Sequence, residues 1–142
     1  MKSTPYNLIM SALYKGKKGD RPPVGNPTSI VCHGLMDACG ISFPEAHLNS
    51  QAMADLALAG HEILGFDTVM PEYSVDQEAA ALGAEVDWGD RNTMPDTKYF
   101  PHEDFSDVEV PEDFLEKPSM RVVLDALSIL RSSRGGAGSY HR

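Results

Sequence analysis

The sequence predicts an α/β protein, and three observations carry that reading. Apolar residues recur at helical spacing in several separate stretches. Between them stand two short runs, Val24-Gly25-Asn26-Pro27 and Phe66-Asp67-Thr68-Val69-Met70, each running into a proline. The 142 residues are 42% hydrophobic and 23% charged, the balance of one soluble globular domain.

Each element has its own local reason. Thr4-Pro5 sets a hydroxyl cap before a proline in the first helical turn, and Leu8, Ile9, Ala12 and Leu13 then repeat with helical period up to Gly16. A basic Gly/Pro-rich loop over residues 15–23 leads into the first short strand, where Pro27 pushes Asn26 out of the helical region. Residues 28–40 read as a second helix on Ile30, Val31, Leu35, Met36 and Ala38, with Gly40 as its left-handed stop. The clearest helix covers 50–64, capped by Asn49 or Ser50. Its stripe is Met53, Leu56, Ala57, Gly60, Ile63 and Leu64, and Gly65 ends it.

Residues 66–70 form the second strand, buried and halted by Pro71, and Ser74-Val75-Asp76-Gln77 has the capping-box form that opens a helix through Leu82. Residues 84–89 alternate small or apolar with acidic side chains, as a half-exposed strand does. From Asp90 to Pro118 the pattern weakens into turns and acidic loop, with a strand near 98–100. Met120, Val123, Leu124, Leu127 and Leu130 restore a helical stripe over 119–131, and 132–142 read as a flexible tail. Strand and helix in alternation imply parallel strands whose crossover helices cover the sheet. Only two or three strands can be named, so the unit is expected to be incomplete, with an open sheet edge through which it could self-associate.

The formal charge of −9 repels nucleic acid and anionic membranes, so neither is an expected partner. No apolar run reaches the ~18 residues of a membrane span or the ~7–15-residue core of a secretory signal, and the cytoplasm is the expected compartment. The basic residues near the N-terminus and the acidic run over 102–117 read as solvated surface. Cys32 and Cys39 are expected to be free, buried thiols.

Among candidate sites, Cys32, His33, Cys39 and His47 fit no zinc-ligand spacing, and buried thiols with solvent-facing histidines explain them better. His61-Glu62 would need a second histidine where Gly65 stands. Ser74 lacks the glycine-flanked elbow of a nucleophile, and Gly135-Gly136-Ala137-Gly138 is no phosphate loop. What remains are polar groups just past the carboxyl ends of the two strands: Asn26 and Thr28 after the first, Glu72, Ser74 and Gln77 after the second. In barrels of alternating strands and helices such loops form the active-site face.

Four longer strings add to this reading: Arg21-Pro22-Pro23-Val24-Gly25-Asn26-Pro27-Thr28-Ser29, Phe43-Pro44-Glu45-Ala46-His47, residues 53–70 (MADLALAGHEILGFDTVM), and residues 78–89 (EAAALGAEVDWG). From about residue 4 to 131 the chain resembles the N-terminal part of the methylcobamide:coenzyme M methyltransferases of methanogens, within the uroporphyrinogen decarboxylase superfamily. The resemblance implies the N-terminal part of a (β/α)8 TIM barrel, a fold of typically ~250 residues. It also implies substrate-facing positions at Asn26, Thr28, Met70, Ser74 and Gln77.

In that family a zinc ion, held by a His-x-Cys pair and a later Cys, binds the thiol of coenzyme M. The resulting thiolate meets the methyl group of a methylated corrinoid protein. A free thiol has a pKa of about 8.5 and is mostly protonated at neutral pH, whereas a metal-bound one is deprotonated. This sequence contains no His-x-Cys, so no zinc ligand and no catalytic residue carries over, and the chain is expected to be inactive alone. A tetrapyrrole decarboxylase is the alternative, but Ser74 stands at its substrate-binding aspartate and Asn26-Pro27-Thr28-Ser29 replaces its arginine-rich loop. A third reading is a non-catalytic binding or assembly module built on the same fold.

Overall fold

Thr4 caps the first helix as its sequence implies. In the computed structural model, which describes residues 3–14, 19–26 and 28–135, α1 spans Pro5–Leu13, and the Thr4 hydroxyl accepts from the Asn7 amide at 3.2 Å. Leu8 is its buried anchor. The predicted 28–40 helix shortens to α2, His33–Cys39, because Asn26 claims the Thr28 amide and hydroxyl and Cys32 is extended at φ −149°. Gly40 takes the expected left-handed conformation at φ 70°. A four-residue helix, α3 (Glu45–Leu48), follows Pro44 and was not predicted.

The central element is α4, Ser50–Glu62, capped by Asn49, whose side-chain oxygen accepts from the Ala52 amide at 2.9 Å. Met53, Leu56, Ala57 and Gly60 are buried as expected. Ile63 and Leu64 are exposed and lie past the helix end, and Gly65 turns the chain at φ 78°. Helix α6, Pro118–Gly135, packs along α4, while α2 and α3 close the same core and α5 (Asp76–Ala81) leans on α6. The buried stripe of α6 is Met120, Val123, Ala126 and Leu130. Leu127, placed inside by the periodicity, is exposed, and the adjacent Ala126 is fully buried in the core cluster instead. The helix continues four residues beyond Arg131, where the tail was expected to begin, and the rest of that tail lies outside the described residues.

Neither of the two predicted barrel strands forms a regular ladder among the described residues, and the chain bends at Asp67. The Asp67 amide donates to the Val24 carbonyl at 2.6 Å, but the Asn26 amide two residues on goes to the Thr68 hydroxyl at 3.0 Å. Side-chain oxygens thus take the bonds a ladder would supply. Gly25 permits the approach, since a Cβ there would sit 2.8 Å from the Thr68 methyl.

The one sheet among the described residues is antiparallel rather than parallel. It pairs β1 (Glu85–Asp87) with β2 (Asp96–Tyr99), in register Val86 to Thr97 and Asp87 to Asp96, with an irregularity between Glu85 and Val86. Of the predicted 84–89 strand only Glu85–Asp87 forms, half-exposed as the alternation implies, as one arm of a surface hairpin. Single 3-10 turns at Phe105–Asp107 and Phe114–Glu116 interrupt the acidic loop. No helix among the described residues is long and apolar enough to cross a membrane.

Candidate functional site

The site is built where the two predicted strand segments are clamped together. Asp67, whose side chain is 2% exposed, accepts both guanidinium nitrogens of Arg21 at 2.6 and 2.7 Å and the Val24 amide at 2.8 Å. These bonds, chiefly those from Arg21, hold the Asp67 carboxyl below the usual carboxylate range against the opposing effect of burial. Thr68 adds a second tie by donating to the Asn26 carbonyl at 3.1 Å. The carboxyl ends of the segments are thereby set side by side.

Past those ends lies a cleft of about 350 Å³ lined by Thr28, Ser29, Met70, Glu72, Tyr73, Ser74, Val75 and Glu78. Four sequence-predicted positions, Thr28, Met70, Glu72 and Ser74, meet in it. Asn26 stands behind the wall, where its side-chain oxygen accepts from the Thr28 amide at 3.2 Å and hydroxyl at 3.1 Å. It orients Thr28 without lining the cleft.

Gln77 does not line the cleft. It is fully buried on the core side of α5, its side-chain amide donates to the His47 carbonyl at 3.4 Å, and its own carbonyl accepts from the Ser119 hydroxyl at 2.8 Å. The reciprocal capping box therefore does not close. Ser74 instead accepts from the Asp76 amide at 3.0 Å and donates to the Asp76 carboxylate at 2.6 Å.

Ser29, Tyr73, Val75 and Glu78 line the cleft beyond the predicted positions, and spacing could have revealed Glu78: four residues after Ser74, it returns to the same side of the chain as α5 begins. Burial first, and then the Glu78 charge, push the Glu72 carboxyl upward. Among the described residues no lysine or arginine lines the cleft.

His47 departs from the expectation of a solvent-facing histidine. It is fully buried, stacked on Phe43 with ring centroids 4.1 Å apart, and neither ring nitrogen has a hydrogen-bond partner among the described residues. Burial lowers its pKa to about 4, with Asp76 pulling weakly the other way. The unfolded chain holds a proton on this ring below about pH 6.5 while the folded chain does not, so stability falls as pH drops from about 6.5 towards 4. His47→Phe is expected to flatten that stretch of a melting-temperature profile. An unchanged slope would assign the loss to other groups.

Cys32 is exposed rather than buried, at the head of α2 beside exposed His33, and Cys39 is half-buried; both thiols are free. Among the described residues no three His, Cys, Asp or Glu side chains converge to hold a metal ion.

The chain matches known proteins along nearly its whole length. It is 34% identical over 128 residues to the methylcobamide:CoM methyltransferase MtaA of Methanosarcina barkeri, covering 89% of this chain and 38% of that protein. To the methylated-thiol–coenzyme M methyltransferase of Methanosarcina mazei it is 33% identical over 133 residues, 94% of this chain and 36% of the relative. A solved methyltransferase from Methanosarcina mazei superposes with a TM-score of 0.82 at 34% identity, over 93% of this chain and 39% of that one.

The chain thus spans less than two fifths of the length of these relatives and has the fold of the corresponding N-terminal portion of a uroporphyrinogen decarboxylase-like TIM barrel. The family model for uroporphyrinogen decarboxylase (URO-D) matches residues 4–138, a span that takes in the Asp67 clamp and every residue of the cleft, and by that match the chain belongs to the uroporphyrinogen decarboxylase family.

Proposed function

We propose that this chain supplies the first substrate-facing loops of a corrinoid-dependent methyltransferase, which moves a methyl group from a methylated corrinoid protein to the thiol sulfur of coenzyme M. The observation that carries the reading is the alignment with proteins named methylcobamide:CoM methyltransferases, which runs through both cleft-forming loops. The chain's own contribution is positional. Arg21, Asp67 and Thr68 hold the two segments together, and the Ser29 hydroxyl, with the remaining oxygen lone pairs of Thr28 and Ser74, whose protons go to Asn26 and Asp76, orients a bound substrate.

A zinc ion would supply the thiolate in such an enzyme. The sequence has no His-x-Cys and the described residues offer no ligand group, so no step on this chain is assigned to a metal. The purified chain, given methylcobalamin and coenzyme M, is expected to show no methyl transfer above the uncatalysed rate and no stoichiometric zinc. Supplying the remaining portion of a relative as a second polypeptide is expected to restore transfer. In that reconstituted protein Ser74→Ala should lower kcat/KM about tenfold, the worth of one hydrogen bond to a bound substrate. Zinc-dependent turnover by the chain alone would overturn the division of labour.

The exposed apolar side chains of Val24 and Met70 on the two clamped segments favour a second reading, a non-catalytic module that associates through this open edge. Light scattering across a concentration series decides it: a defined dimer supports self-association, and a monomer at every concentration removes it.

A further inference from the structure

We propose that a second cleft, between α2 and the β1–β2 loop, binds a soft monovalent metal ion, Cu(I), through the sulfur atoms of Cys32, Met36 and Met94 with the His33 imidazole beside them. This cleft holds about 360 Å³ and shares no lining residue with the one past the clamped segments. Four of its nine lining residues carry a sulfur atom or an imidazole. The site stands apart from methyl transfer and does not rest on that reading.

The donors come from two elements that are tied together. The Met36 amide donates to the Cys32 carbonyl at 3.0 Å, closing the first turn of α2 and setting the two residues one turn apart. Met36 forms the buried floor. Met94 comes from the loop between the strands, which the Asp90 carboxylate folds by accepting the Asn92 amide at 2.7 Å and the Thr93 amide at 3.0 Å. Arg91 in the same loop donates to Asp37 of α2 at 2.5 Å, and so brings Met94 to the cleft that Cys32 and Met36 line.

The donor set selects the ion. A structural zinc centre takes four ligands, chiefly thiolate, imidazole and carboxylate, and among the described residues no three His, Cys, Asp or Glu side chains converge to start one. Thioether sulfur is polarisable and nearly uncharged, and it serves soft Cu(I), which accepts thiolate and thioether together in low coordination. Binding exchanges the Cys32 S–H bond for an S–Cu bond and releases one proton to solvent, because a coordinating thiol is deprotonated. Thiolate and Cu(I) then sum to zero charge. A neutral core suits a cleft with Val31 and Phe43 in its wall, where Arg91 is already paired with Asp37. Cys32 is exposed and Met94 is 50% exposed, so the ion enters directly from solvent.

The test adds Ag(I), which shares this soft, filled-shell chemistry without a redox change, to the reduced chain labelled with carbon-13 at its methionine methyls. One equivalent is expected to bind, and of the seven methionines only Met36 and Met94 should shift. Cu(I), titrated without oxygen against the chelator bicinchoninate, should also bind one equivalent. Cys32→Ser should weaken it roughly a hundredfold and Met94→Leu about tenfold, the range that substitutions at metal sites span. Both positions are exposed, and an unchanged amide spectrum verifies the fold. Cys39→Ser, whose thiol does not line the cleft, should leave the affinity as it was.

Silver held with the Met36 and Met94 methyl signals unmoved overturns the inference, because a thiol alone would then be the ligand. So does a Cu(I) affinity that Met94→Leu leaves intact or that Cys39→Ser lowers as much as Cys32→Ser. Zinc binding as tightly as Cu(I) would overturn the choice of ion.

Discussion

Asp67→Ala is expected to lower stability by about 3 kcal/mol, read as a shift of the urea midpoint at unchanged slope. The carboxylate is buried and takes three bonds, two from Arg21 and one from the Val24 amide, and alanine leaves all three donors without it. Asp67→Asn keeps an acceptor for Val24 but not the charge, and should fall between alanine and the parent.

The pH dependence separates this group from His47. The Asp67 carboxyl titrates lower in the folded chain than in the unfolded one, chiefly because of the Arg21 hydrogen bonds. Its contribution is therefore complete above about pH 4 and is lost as pH falls through the depressed folded value. The His47 loss comes earlier in the acid titration, between about pH 6.5 and 4. Acid profiles of Asp67→Asn and His47→Phe should accordingly depart from the parent in different windows. Coincident departures would mean that neither group acts as described.

Leu56→Ala should cost about 3 kcal/mol, because Leu56 is fully buried on α4 where α2, α3 and α6 converge and the cavity cannot collapse against three rigid helices. Leu127→Ala, on the 47% exposed face of α6, should stay within about 0.5 kcal/mol of the parent. Thermal or urea unfolding of the two variants side by side checks both the core and its boundary. Equal losses would place Leu127 inside and refute the packing of α6 on α4.

The candidate site was partly legible for a similar reason. Prolines and polar residues after two short apolar runs point to loops at strand ends, and Thr28, Met70, Glu72 and Ser74 do meet in one cleft. Gln77 looked equivalent in sequence, one helical turn from Ser74, yet it serves the core through His47 and Ser119. Polarity marks a residue as needing partners, and those partners can be substrate or backbone. Here they are a buried carbonyl and a neighbouring helix, which no local pattern announces.

By itself the sequence determined what depends on a few neighbouring residues: the Thr4 and Asn49 caps, the left-handed glycines at 40 and 65, the existence of α4 and the solvent-facing arm at 85–87. These follow from backbone sterics and orphan amide groups within one or two turns of chain. Tertiary structure alone decided that Ala126 rather than Leu127 is buried in the core, that His47 is buried, that Asp67 and Thr68 side chains replace a strand ladder, and that the hairpin pairs antiparallel. Each of those outcomes depends on which distant surface arrives opposite a residue, and the distance and shape of that surface are properties of the packed chain.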